Sequence, residues 1–348
     1  MTTNSGRWRL FASASVLVLT LASCSSNGDG DDGGSFTFVG AGGSYQEAQT
    51  IAFIEPFMAE TGVTIHQHSP LSYSQLRAQV DAGNVTWDVM EAFPYFAHQY
   101  CGEYLEKIDY DVVDVSRVEE GLWSDCAVPN MKSAFILVYN TDTYGDNPPQ
   151  SWVDFFDTEN FPGTRAVQND VNQATLEVAL LADGVAPEDL YPIDYDRAFA
   201  KLDTIRDDLV FMESGADQQE AMTNGSVDMV LAWPGRAYEA AANGAPIAPV
   251  WNQAIFYHDV FVVPKGTKNY DLVMEFLAYV VTAEAQETLT ENIPYAPINV
   301  DAEPDVSELE RAYLPLGQDE GTGLWRDEEW WAENLDEATE RWTEWAAS

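Results

Sequence analysis

From residue 35 onward the chain alternates short strand-like runs with helical stretches, and this alternation restricts the fold more than any other feature. Ser35-Phe36-Thr37-Phe38-Val39 alternates in strand fashion and runs into Gly40-Ala41-Gly42-Gly43. In the stretch that follows, Ala52, Phe53, Ile54, Phe57 and Met58 share one helical face, and Thr61-Gly62 closes it. Val63-Thr64-Ile65 reads as a second strand, residues 74–82 as a second helix, and Trp87-Asp88-Val89-Met90 as a third strand. Strand–helix–strand–helix–strand implies a parallel sheet covered by helices, because the crossovers lie on its faces. The fold class is α/β.

The remainder keeps this style without internal repeats. Residues 134–139 and 227–233 read as strands; residues 176–183, 198–207 and 270–281 read as helices. Near the end Trp331, Leu335, Ala338, Trp342 and Trp345 recur at helical spacing, as a face packed on the body would. Pro148-Pro149 and Phe161-Pro162-Gly163 punctuate an entry into a second lobe. About 310 residues in this body exceed what one core usually organises, so two lobes are expected. Apolar residues at 46% and aromatics at 12% exclude disorder. The net charge of −42, from 58 acids against 16 Lys and Arg, argues against nucleic acid and anionic lipid headgroups as partners. Because the acids are spread along the whole chain, the charge says little about a ligand.

The first residues read as an export signal. Arg7 and Arg9 precede an apolar run over residues 10–21, too short to span a bilayer and laid out like a cleaved secretory signal. The run ends in Leu21-Ala22-Ser23-Cys24, which resembles the bacterial lipobox. That resemblance implies cleavage before Cys24 and a lipid on its thiol, anchoring the protein to the outer face of the cytoplasmic membrane. Residues 1–23 are then signal peptide, and the Gly/Ser/Asp-rich residues 24–34 a flexible tether. In an oxidising compartment the isolated pair Cys101 and Cys126 is expected to bridge. Closing a loop of about 25 residues contributes roughly 3 kcal/mol on the chain-entropy view. Two buried free thiols are the alternative. Neither cysteine has metal-ligand spacing to other thiols or imidazoles, and no metal or cofactor is expected. His66 and His68 share one face of a strand but lack further ligands nearby in sequence.

The order of segments resembles the extracellular solute-binding proteins of ATP-driven importers, specifically their spermidine/putrescine-binding branch. Gly42-Gly43-Ser44-Tyr45, Glu55-Pro56-Phe57, Trp87-Asp88-Val89 and Gly102-Glu103-Tyr104-Leu105 carry the likeness in the first half. Phe161-Pro162-Gly163, Leu231-Ala232-Trp233-Pro234-Gly235-Arg236, Val262-Val263-Pro264-Lys265-Gly266 and Ile293-Pro294-Tyr295 carry it in the second. The resemblance implies a two-lobed type II periplasmic-binding-protein fold with two crossing hinge strands, the crossings falling near Asn140 and Tyr257. Lobe 1 is expected over residues 35–140 and 259–302, and lobe 2 over residues 141–258 and 303–348. It further implies a monomeric binder, not an enzyme, that closes on a small cationic solute such as a polyamine and delivers it to a permease and its ATPase.

A polyamine needs aromatic faces for its methylenes and carboxylates for its ammonium groups. The resemblance assigns these roles to Trp233, Tyr257, Asp259 and Tyr295, with Tyr45, Ser44 and Tyr95 near the same cleft. The sequence departs from the family where two acids are expected three residues apart: Asp170 remains, and Ala174 stands at the second place. Trp331 stands where the family has a cleft glutamine, and Arg236 adds a cation beside Trp233. A site that loses an acid and gains a guanidinium suits a carboxylate-bearing or smaller cationic solute, such as an opine or amino acid. The same tyrosines and arginine leave ferric ion open. A hydrolase is the rival of another class; no Gly-x-Ser-x-Gly or His-Glu-x-x-His occurs to support one.

Overall fold

The computed structural model describes residues 34–318 and 323–347. Cys24 and the signal and tether segments before residue 34 lie outside the described residues. Among the described residues, nine strands form one mixed sheet: β1 (Ser35–Val39), β2 (Thr64–His68), β3 (Val89–Ala92), β4 (Val128–Asn140), β5 (Arg165–Gln168), β6 (Leu209–Met212), β7 (Met229–Ala232), β8 (Ile247–Val262) and β9 (Leu324–Trp325). Their order is β2-β1-β3-β8-β4-β7-β5-β6, with β9 added to β8.

Two parallel triads flank a long antiparallel pair. β1 pairs in parallel with β2 and β3, as the opening alternation requires, and β5 pairs in parallel with β6 and β7. Between the triads, β8 runs antiparallel to both β3 and β4, and β4 runs antiparallel to β7. β4 and β8 are 13 and 16 residues long, so each extends roughly 40–50 Å at strand rise and belongs to both halves. Where they pass from one triad to the other, the register shifts between Phe135 and Leu137, and Gln253 adopts a positive φ of 61°. A bulge at that point turns the strands without breaking the pair. Of these two, the sequence shows only the middle of β4 as a strand, because the mixed polarity of residues 247–253 hides the start of β8.

The first helical stretch begins earlier than its apolar face indicates. Helix Gly43–Gln49, a π-turn over Thr50–Ile54 and helix Glu55–Thr61 run on continuously, and left-handed Gly62 (φ 74°) ends them. The tryptophan-rich segment is the helix Glu328–Ala346. Its far end rests on the second half, with Trp345 stacked on Phe199 at 5.4 Å and Trp342 edge-on to Phe211. Its first turn reaches the first half, where Glu328 Oε2 accepts from the Tyr95 amide at 3.3 Å. The helix therefore straps the two halves together. Cys101 and Cys126 are joined by a disulfide with Cα atoms 5.5 Å apart. Among the described residues, no helix is long and apolar enough to cross a membrane. None of their His, Cys, Asp and Glu side chains group in threes as a metal site would, the edge-strand histidines included.

Candidate ligand-binding site

The two triads end in matching turns. After β3 comes Phe93-Pro94 and the helix Pro94–Tyr100; after β7 comes Trp233-Pro234 and the helix Pro234–Ala242. Proline suits the first helical position because its fixed φ fits and its missing N–H has no intrahelical partner there. The aromatic residue before it stays extended (Phe93 ψ 150°, Trp233 ψ 132°) and stands off the strand end. Ligands of open α/β sheets bind outside such carboxyl ends. Here a cavity of about 230 Å³ lies between them, with Phe93 and Trp233 both in its wall.

The remaining wall is aromatic with a few polar groups. Tyr45, Tyr73, Tyr95, Tyr257 and Tyr295 line it. Tyr45 and Tyr295 meet edge to face at 4.9 Å, and Phe93 meets Tyr257 at 5.4 Å. Tyr257 also stacks on Phe135 at 4.6 Å, and Tyr45 donates to Asn130 Oδ1 at 3.0 Å. Rings fixed on two sides cannot swing into an empty cavity, so the site keeps its shape without ligand. Burial pushes the Tyr45, Tyr257 and Tyr295 phenols up, so they stay protonated.

Charge is divided within the cavity. Arg236, 7% exposed, donates to Ser44 Oγ at 2.8 Å and to the Gly42 carbonyl at 3.1 Å. Among the described residues it forms no ion pair with a carboxylate. Two of its five N–H donors are thus used on neutral acceptors. Glu91 and Asp259, on neighbouring strands β3 and β8, also line the cavity. Gln49 Nε2 donates to Glu91 Oε2 at 2.9 Å. Burial raises the Glu91 carboxyl to about 7, against the opposing hydrogen bonds from Gln49 and Asp259. Burial, and then the charge of Glu91, holds Asp259 well above the carboxylate range.

Of the nine ligand-binding residues expected from sequence, the cavity gathers Trp233, Asp259, Tyr257, Tyr295, Tyr45, Tyr95, Asp170 and Arg236. Asp170 belongs to its exposed rim. Ser44 is not in the wall; its hydroxyl holds Arg236 instead. Trp331 is fully buried behind the site, its Nε1 donating to Glu177 at 2.9 Å, and takes no place in the wall. Glu91, Tyr73, Phe93, Asn172 and Gln173 line the cavity and are not foreseen. An acid directly after the apolar run Val89-Met90, and the repetition of aromatic-proline at 93–94 and 233–234, are the signals that mark two of them.

Arg236 is cradled by glycines. A Cβ on Gly215 would lie 2.8 Å from Arg236 Nε and 3.2 Å from Trp233 Cζ3. One on Gly43, whose φ is already positive at 62°, would lie 2.7 Å from Arg236 Nη1. Gly215 opens the helix Gly215–Asn224, capped by Ser214, so alanine suits its backbone. Gly215→Ala is therefore expected to leave the melting temperature nearly unchanged while displacing the guanidinium. Ligand affinity, read by titration calorimetry, should fall about tenfold, the effect of roughly one neutral-scale hydrogen bond.

A two-lobed sheet with its cavity at the strand ends defines a binding protein that encloses a small molecule. The chain belongs to the bacterial extracellular solute-binding proteins, whose family model matches residues 52–312. Members of the family are the substrate-binding components of ABC transporters. They hold small ligands outside the cytoplasm, pass them to permease and ATPase components, and are not enzymes. The chain is 32% identical to a gamma-aminobutyric acid-binding protein of Pseudomonas aeruginosa, over 90% of this chain and 91% of that protein. It is 23% identical to spermidine/putrescine-binding periplasmic protein 1 of Haemophilus influenzae, over 72% of each. Among solved structures, a GABA receptor superposes with a TM-score of 0.83 at 36% identity, covering 89% of this chain and 97% of that one.

Proposed function

We propose that this protein captures a small ω-amino acid of the γ-aminobutyrate kind. The observation that carries this reading is a buried guanidinium without a carboxylate partner, in the same cavity as a buried pair of carboxyls. A zwitterion meets both needs. Its carboxylate takes the unspent N–H groups of Arg236, its ammonium sits between Glu91 and Asp259, and the aromatic wall covers the methylenes between. A cavity of about 230 Å³ suits a ligand of few heavy atoms, below the ~300–1,000 Å³ typical of drug-sized ligands. The names of the Pseudomonas aeruginosa relative and of the GABA receptor support the same class.

A polyamine is the second reading, favoured by three carboxyls in the wall, Glu91, Asp170 and Asp259, against the single Arg236. Thermal shift with γ-aminobutyrate, putrescine and spermidine separates the two. A ligand present at 1,000 times its Kd stabilises by about 4 kcal/mol. Stabilisation by putrescine but not by γ-aminobutyrate would overturn the zwitterion reading.

The wider assignment follows the family. Residues 35–140 with 259–302, and residues 141–258 with 303–348, act as two lobes hinged on β4 and β8, closing over the ligand as a monomer. Lipid on Cys24 keeps the protein near its permease; Cys24→Ser should move it from the membrane fraction to the medium or periplasm.

A further inference from the structure

Glu91 on β3 and Asp259 on the paired strand β8 are two carboxyls in the wall of one buried cavity, and two carboxylates so placed do not both ionise without a cation between them. Both side chains are nearly inaccessible (4% and 7% exposed), and both face the cavity. The groups around them do not supply a second cation at contact distance. Glu91 accepts from Gln49 and the Ala41 amide, and feels Arg236 across the cavity. Asp259 feels Glu328, which opposes its ionisation, and Arg326, which favours it. Tyr45, Tyr73, Tyr257 and Tyr295 remain neutral phenols. Above about pH 7 the ligand-free pair therefore carries one negative charge and one proton, and below it a second proton.

We propose that a ligand ammonium enters by exchange: it evicts a proton held by Glu91 and Asp259, and that proton leaves to solvent. The inference rests on the placement of the ammonium given above. In the step the O–H bond of the protonated carboxyl breaks, its electron pair staying on the carboxylate, N–H···O bonds to both carboxylates form, and the proton passes to water or buffer. The charge held by the cavity is unchanged, so cation capture does not add charge to a buried space. Glu91 thereby becomes a specificity-determining residue. A neutral hydroxyl analogue of the ligand cannot evict the proton and is left facing a protonated pair.

The pH dependence follows in sign. Binding that releases a proton tightens as pH rises, and stops tightening once the free pair has already lost it. Burial places the first loss, from Glu91, at about 7, and the charge then left on Glu91 holds the proton of Asp259 to higher pH. Affinity should therefore rise with pH, more steeply below 7 than above it.

Titration calorimetry of γ-aminobutyrate, in phosphate and in Bis-Tris at pH 6 and in borate and in Tris at pH 8.5, counts released protons from the difference between buffers. At least one proton per ligand is expected at pH 6, and fewer at pH 8.5. Glu91→Gln should bind more weakly and release one proton fewer than the wild type at pH 6, the proton left being that of buried Asp259. Binding with equal heats in both buffers at pH 6 would overturn the exchange. Infrared spectra of the ligand-free protein test the protonated pair without any ligand. A protonated-carboxyl band at pH 6 that loses intensity in both Glu91→Gln and Asp259→Asn, with Glu328 contributing to the remainder, is expected, and a band unchanged in both variants would overturn the proposal. Failure of γ-aminobutyrate to bind, with that band present, would sink the zwitterion reading and leave the protonated pair standing; the same calorimetry with putrescine then decides the exchange.

Discussion

Arg236→Met should weaken γ-aminobutyrate binding by about 30-fold or more, corresponding to the roughly 2–5 kcal/mol lost when one side of a buried charge-assisted contact is removed. The ligand-free protein should lose little stability. Arg236 is 7% exposed and spends its hydrogen bonds on Ser44 and the Gly42 carbonyl, so the native state bears the desolvation of a cation without an ion pair. Methionine fills much of the same volume and removes that cost. The sign for a polyamine is opposite. A dication in the same cavity is repelled by the guanidinium, so Arg236→Met should strengthen putrescine binding. Calorimetry of both ligands on wild type and variant reads both changes. Weakened putrescine binding together with unchanged γ-aminobutyrate binding would show that Arg236 does not face the ligand carboxylate.

The fold was legible in sequence where local pattern and tertiary role agree. Residues 35–39 alternate because Phe36 and Phe38 turn into the core while Thr37 is only partly buried, and the helical runs around Phe53 and Trp342 bury the faces their spacing shows. β8 was legible as a crossing strand only through the family resemblance, which put a crossing near Tyr257, and not from its local pattern. Its first seven residues are only partly buried, so they carry no apolar alternation, and its pairing with β3, β4 and β9 depends on partners far along the chain. At the site, the order of motifs led to Trp233, Tyr257 and Asp259. Ser44 was grouped with them because it adjoins Tyr45 in sequence, although the helix turn sends it to Arg236 rather than to the cavity. Glu91 escaped notice because an acid at a strand end usually reaches solvent. Only the approach of Asp259 on β8 and Gln49 on the first helix makes it a buried partner. Arg326 and Glu328 were invisible for the same reason: their significance comes from what closes over them.

Arg326→Met should cost about 3–5 kcal/mol of unfolding free energy near pH 8, the scale of a buried ion pair broken from one side. The Arg326 side chain is wholly buried, with its guanidinium 4.8 Å from the centre of Phe93 and 5.4 Å from that of Trp331. It donates to the Asn172 carbonyl at 2.7 Å and pairs with Glu328 at 3.2 Å. Glu328 in turn accepts from the Tyr95 amide, so one ion pair joins cavity walls from both halves of the sheet. Burial already raises the Glu328 carboxyl to about 7, with Arg326 opposing the rise; burial raises Glu177 as well, again against Arg326. Without the guanidinium both carboxyls move further up. A carboxyl whose folded value lies above its unfolded one favours folding most at low pH, and that advantage is lost as pH rises through the folded value. The defect should therefore be small near pH 5, where both groups can hold protons, and largest near pH 8. Urea unfolding at the two pH values measures it. Adding Glu328→Gln to Arg326→Met should recover part of the loss at pH 8, because it removes one of the two stranded charges. Equal losses at pH 5 and pH 8, with no recovery in the double variant, would mean that Arg326 acts through packing against Phe93 and Trp331 alone. In that case its charge would have no part in holding Asn172 against Tyr95, whose hydroxyl accepts from the Asn172 amide at 3.0 Å.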